Sequence, residues 1–74
     1  MSSREWRYAF GTRLFEARSS KGMSQRELGK LVGVHPNTIS TYEMGAHEPT
    51  AHVLHRICEA LDVDADVLLG RRDK

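Results

Sequence analysis

Two Ser-x-x-Glu tetrads, Ser2–Glu5 and Ser24–Glu27, each stand directly before apolar residues at helical spacing. In such a box the serine hydroxyl accepts from the backbone N–H three residues on, while the glutamate accepts from the serine's own N–H. Two donors that a helix start leaves unpaired are thereby satisfied together. The tetrads predict two helix beginnings, and the rest of the chain is punctuated as closely. Trp6, Phe10, Leu14 and Ala17 recur at intervals of four, four and three, an apolar stripe on a first helix that Gly22 closes. Leu28, Leu31 and Val32 form the face of a second helix that stops at Gly33. Gly29 inside it costs about 1 kcal/mol relative to Ala, which points to a place where another helix backbone comes close.

Pro36 suits a first helical position, where its missing N–H is not needed, and a third helix runs from it to about Glu43. Val34 and Ile39 face inward; Asn37, Ser40, Thr41 and Met44 lie along the other side, which is polar and nearly uncharged. Met44 to Pro49 reads as a loop, after which Thr50 caps a fourth helix with Val53, Leu54, Ile57, Cys58 and Leu61 inside. Asp64 opens a short fifth helix holding Val67, Leu68 and Leu69, and Gly70 precedes a basic tail. No strand pattern, repeat or low-complexity stretch interrupts this series, so the expected class is all-α with five helices.

At 74 residues the chain has room for one domain, 1–74, with a core of about 8–69 and a tail of 70–74. A core this small contributes only about 3 to 5 kcal/mol, so a disulfide, a metal or a partner is the usual supplement. Cys58 is the only cysteine, which excludes an internal disulfide, and a homodimer is the expected remedy. Val67, Leu68 and Leu69 read mostly as core, but three adjacent apolar side chains on a short helix cannot all face inward, so at least one of these candidates is expected in a dimer interface. No apolar stretch approaches the roughly 18 residues of a membrane span, and the start lacks the apolar run of a secretory signal; no membrane partner and a cytoplasmic location are expected. The net charge of +1 hides a sorting: residues 1–30 carry seven bases and three acids, residues 31–70 one base and six acids, and residues 71–74 three bases and one acid. Bases clustered in the first part and the tail are placed to meet a phosphate backbone.

The second and third helices, joined by a short turn containing Gly33, have the arrangement of a helix-turn-helix, whose second helix enters a DNA major groove. The run Met23-Ser24-Gln25-Arg26-Glu27-Leu28-Gly29, then Gly33-Val34, Ile39-Ser40, Tyr42-Glu43, Gly45 and Pro49, resembles the phage repressor and Cro-like (XRE) helix-turn-helix family. Phe10-Gly11, Leu14 and Arg18 are similar to that family's first helix, and Leu54, Ile57, Ala60-Leu61, Val63 and Leu68 to its last two, so the resemblance covers about residues 8–69. It implies a five-helix, lambda-repressor-like DNA-binding domain and a transcriptional regulator acting on double-stranded DNA as a homodimer. Half-sites of an inverted repeat would then lie about 10 base pairs apart. Pro36, Asn37, Ser40 and Thr41 match the groove-facing, base-reading positions. Asn37 is the strongest candidate, since an amide both donates to and accepts from an adenine edge. Ser24, Gln25, Arg26, His35 and Thr38 are the candidate phosphate contacts, with Gln25 alternatively supporting a base-reading residue. Arg18 and Glu43 match a structural pair that ties the first helix to the third. RNA polymerase or a toxin protein are further candidate partners.

The chain departs from the family pattern in three places. The third helix contains no Lys or Arg, so the commonest specific contact, a basic side chain on guanine, is missing from it. The loop Ala46-His47-Glu48 lacks phosphate-directed bases, and Glu48 repels phosphate unless turned away. His35 replaces the usual Ser or Thr cap, weakening the cap while allowing a phosphate contact when protonated. His52, His55 and Cys58 at intervals of three lie on one straight helix, where ligands splay apart, and no fourth ligand is evident; neither a metal, a cofactor nor enzymatic activity is expected. Trp6 and Tyr8 read as core or interface rather than as stacking platforms. An antitoxin of the same fold, or an interaction module that bridges transcription factors without reading DNA, are the alternative functions.

Overall fold

The computed structural model describes residues 2–71, and five helices follow one another: α1 (Ser3–Ser20), α2 (Gln25–Val32), α3 (Pro36–Glu43), α4 (Ala51–Leu61) and α5 (Ala65–Leu68). Both capping boxes form. Glu5 N donates to Ser2 Oγ at 3.1 Å and Ser2 N to Glu5 Oε1 at 2.9 Å; the second box repeats this at 3.0 and 2.8 Å. Gly22 and Gly33 end the first two helices in the left-handed region, the second at φ 87°, where glycine carries no Cβ penalty. Thr50 Oγ1 accepts from Val53 N at 3.2 Å at the head of α4. That helix closes on Asp62 at φ 55°, an ending no glycine announces. Of the expected basic tail, Arg72, Asp73 and Lys74 lie outside the described residues.

The helices enclose Phe10, Leu14, Leu28, Val32, Ile39, Tyr42, Ile57, Leu61 and Leu68, with Trp6 stacked on Phe10 at a centroid distance of 5.4 Å. Three expectations change here. Leu31 is 58% exposed, because α2 turns Leu28, Gly29 and Val32 to the core and position 31 falls off that stripe. Tyr8, expected in the core or an interface, is exposed and so not part of the core. Leu68, a candidate dimer residue, is fully buried within its own protomer and cannot also cover a partner, leaving Val67 and Leu69, both half-buried.

Two close approaches set the angles between helices. A Cβ on Gly11 would lie 2.5 Å from the carbonyl oxygens of both Tyr42 and Glu43, so the middle of α1 meets the end of α3 backbone against backbone. At Gly29 the neighbour is not another helix but the turn after its own: a Cβ would lie 2.7 Å from Val34 O, while Gly33 N and Val34 N both bond to Gly29 O. Nothing flexible stands at Gly11 to yield, and overpacking of this kind costs about 1 to 3 kcal/mol. Gly11→Ala should lower stability in chemical denaturation by at least that amount.

Candidate nucleic-acid interface

Gly33, Val34 and His35 connect α2 to α3, and the left-handed Gly33 lets the chain reverse within that span. The cap that follows is not a weak one. His35 Nδ1 accepts from Asn37 N at 3.0 Å, so the ring performs the task of the missing hydroxyl, in the form that leaves Nδ1 unprotonated. Pro36 holds the first position of α3, and Ile39 and Tyr42 anchor the helix in the core; burial pushes the Tyr42 phenol above its ordinary pKa.

With those side chains inside, the other face of α3 is outward. Asn37 is exposed, and Pro36, Thr38, Ser40 and Thr41 are half-buried. Thr41 Oγ1 donates to Thr38 O at 2.8 Å, which engages its proton within the helix and leaves its methyl group and oxygen lone pairs as its contact groups. The structure thus brings the four expected base-reading residues to one short helix. Ser24, Arg26 and His35 are exposed near its ends, and Gln25 is half-buried. The Ser24 box engages the N–H groups of Ser24 and Glu27, leaving those of Gln25 and Arg26 in the first turn of α2 for an anion. Hydrogen bonding from the Ser24 backbone N–H first, and from its side chain second, holds the Glu27 carboxyl below its ordinary pKa.

The Gln25 side chain has a commitment that sequence spacing does not reveal. Its Nε2 donates to Glu43 Oε1 at 2.9 Å, and the same carboxylate receives Arg18 Nε on Oε2 at 2.6 Å and Arg18 Nη2 on Oε1 at 3.1 Å. Arg18 Nη1 donates to Met23 O at 2.7 Å, and its guanidinium lies 5.3 Å from the Phe15 ring centroid. The bidentate pair is nearly dry, with 11% and 6% of the two side chains exposed. One carboxylate therefore joins α1, the start of α2 and the end of α3.

Electrostatically the region is spare. Residues 31–55 contain no Lys or Arg. Glu48 borders two shallow depressions, one shared with His47, Asn37, Thr38 and Thr41 and the other with Ser2, Ser3 and Trp6. Among the described residues no three His, Cys, Asp or Glu side chains gather where a metal would sit; His55 instead approaches Glu59 at 3.5 Å. Burial first, then the Asp64 charge, push the Cys58 thiol up, away from a reactive thiolate. Sequence reasoning missed one contact beside α3. Arg7 Nε donates to Gly45 O at 3.2 Å, and the only signal for it was a glycine in the loop, which adopts φ 78°.

A family described as a helix-turn-helix domain matches residues 9–69. The chain is 37% identical over 60 residues to the prophage-derived, uncharacterized HTH-type transcriptional regulator YonR of Bacillus subtilis, covering 81% of this chain and 56% of that protein. Against the three Bacillus subtilis regulators it matches, the chain spans 56%, 50% and 51% of their lengths. Among solved structures it superposes on the restriction-modification controller protein C.AhdI of Aeromonas hydrophila with a TM-score of 0.80 and 31% identity, covering 84% of this chain and 94% of that one. It superposes equally clearly on the P22 c2 repressor, solved with a synthetic operator, with a TM-score of 0.77 and 34% identity over 80% of this chain and 89% of that one. With its five helices in that order and the α2–α3 pair at their centre, the chain belongs to the phage-repressor-like branch of the helix-turn-helix family.

Proposed function

We propose that the chain is a transcriptional regulator that binds double-stranded DNA sequence-specifically, as a homodimer on an inverted repeat. The observation that carries this reading is the mounting of α3. Its neutral polar face, with Asn37, Ser40 and Thr41, points outward from a helix held along its inner side by Ile39 and Tyr42 and at its last residue by Glu43 in its grip of Arg18 and Gln25. A helix in that position inserts its outer residues into a major groove. An amide and two hydroxyl-bearing side chains make direct contacts to base edges without a net charge. The operator complex of the P22 c2 repressor and the controller role of C.AhdI support the same reading by similarity.

For the dimer, Val67 and Leu69 are the candidate surface. Val67 lines a groove of about 680 Å³ between α1 and the α4–α5 turn, together with Ala17 and Val63. A second copy seated on these apolar side chains would bury area that one small core leaves open, and would set two α3 helices about 34 Å apart.

Selection of bound duplexes from a random library tests the whole reading, and failure to enrich any sequence overturns it. On the enriched site Asn37→Ala should cost about 1 to 3 kcal/mol and relax preference at one base position, read by competition against single-base variants. Glu48→Gln should tighten binding by about 0.2 to 1 kcal/mol at low salt, with the gain fading as salt screens the charge, measured by anisotropy titration. Val67→Glu should sediment as a monomer at concentrations where the unmodified chain is a dimer.

A further inference from the structure

We propose that Arg7, on the first turns of α1, is a phosphate-backbone contact that replaces the bases missing from α3 and from the loop after it. This inference rests on the DNA-binding reading above. A helix in a major groove needs cations beside it, because phosphate neutralisation and counterion release supply much of protein–DNA affinity. Here neither α3 nor the following loop provides one, since no Lys or Arg occurs between Lys30 and Arg56. Among the bases of α1, Arg18 is engaged on Glu43 and Met23 through all three of its guanidinium nitrogens. Arg13 lies in the groove beside Val63 and Val67.

Arg4 is exposed on the first turn of α1 and bonds to neither α3 nor the loop among the described residues; Arg7 differs from all three. Its Nε is fixed on Gly45 O just past the end of α3, and among the described residues its two terminal nitrogens donate to no protein acceptor. The carbonyl it grips is itself held firmly: Gly45 is left-handed, and a Cβ there would lie 2.9 Å from Tyr8 Cα, so the loop is pressed against α1. The next residue shows what this part of α1 borders. Tyr8, 67% exposed, rims a depression that also holds Gln25, Ser40 and Met44, so the start of α1 borders the face on which α2 and α3 present their candidate DNA contacts. A guanidinium anchored through Nε keeps two terminal donors in a planar fork, the geometry that binds a phosphate through paired N–H groups.

The experiment compares Arg7→Gln with Lys30→Gln on the selected duplex across 50 to 200 mM salt. Both remove one positive charge, but Lys30 lines a different depression with Lys21 and Leu31. Glutamine at position 7 retains an N–H for the Gly45 carbonyl, and thermal melting confirms that the fold is kept. Arg7→Gln should flatten the slope of log affinity against log salt by about 1 per bound protomer, a loss roughly fourfold larger at 50 than at 200 mM. Lys30→Gln should leave the slope unchanged, and Arg7→Lys should restore it. A uniform loss with parallel salt lines would reduce Arg7 to a brace for the loop and overturn the proposal, as would equal flattening by both glutamine variants. If the unmodified chain binds no duplex at all, the functional reading falls and this inference with it.

Discussion

The Glu43 carboxylate is the point on which the reading helix depends. Short helices do not hold their own orientation: at eight residues α3 is below the length at which a helix is stable alone, so tertiary contacts must form it and aim it. Ile39 and Tyr42 anchor its inner side, but two apolar contacts leave a helix free to roll. Arg18 and Gln25 remove that freedom by gripping its last residue from two other helices. Loss of either charge would strand the other in a nearly dry site, at a cost of about 3 to 5 kcal/mol where burial is complete. Because Gln25 stands in the first turn of α2, that turn and the end of α3 are fixed to each other through one side chain.

Glycine then decides how near the elements come. The clasp operates only because α1 and α3 touch at Gly11, where any side chain would strike two backbone carbonyls. Gly29 does the same for the turn, admitting Val34 O so that α3 begins immediately after α2. The sterics of these two positions and the polar contacts at Glu43 act together. Close backbones bring Arg18 and Gln25 within hydrogen-bond distance of the carboxylate, and the resulting bonds keep the backbones close.

Much of this was legible in the sequence, and what was legible followed from local chemistry. The two serine boxes, Gly33, Pro36 and Thr50 locate helix ends because capping depends on residues three or four positions apart. Most of the core followed from spacing, which fails where a helix is too short to average out a misplaced apolar residue, as at Leu31. Asp62 closes α4 without a glycine, and His35 caps through a ring nitrogen; both use residues outside the usual repertoire for those positions. Gly29 announced a close approach but not which element makes it. The link from Gln25 to Glu43 and that from Arg7 to Gly45 join residues 18 and 38 positions apart, and no periodicity encodes such pairs. Leu68 shows the limit from the other side: the composition of α5 requires that some apolar side chains face outward but does not say which, and only packing assigns Leu68 to the core.

The absence of charge on the outward face of α3 has a further consequence for how affinity and discrimination are divided. When basic residues on a reading helix contact both bases and phosphates, the same side chains supply strength and selectivity, and salt weakens both. In this chain the outward residues of α3 are neutral, while the free cations nearby belong to α1 and α2 and Glu48 opposes them from the loop. Amide and hydroxyl contacts to base edges are short-ranged and little screened, whereas phosphate contacts release counterions and weaken steeply with salt. On the proposed reading, overall affinity would be set by elements that carry no sequence information, and the energy difference between a right and a wrong base by Asn37, Ser40 and Thr41. A regulator built in this way loses occupancy as salt rises while its ranking of sites stays nearly constant.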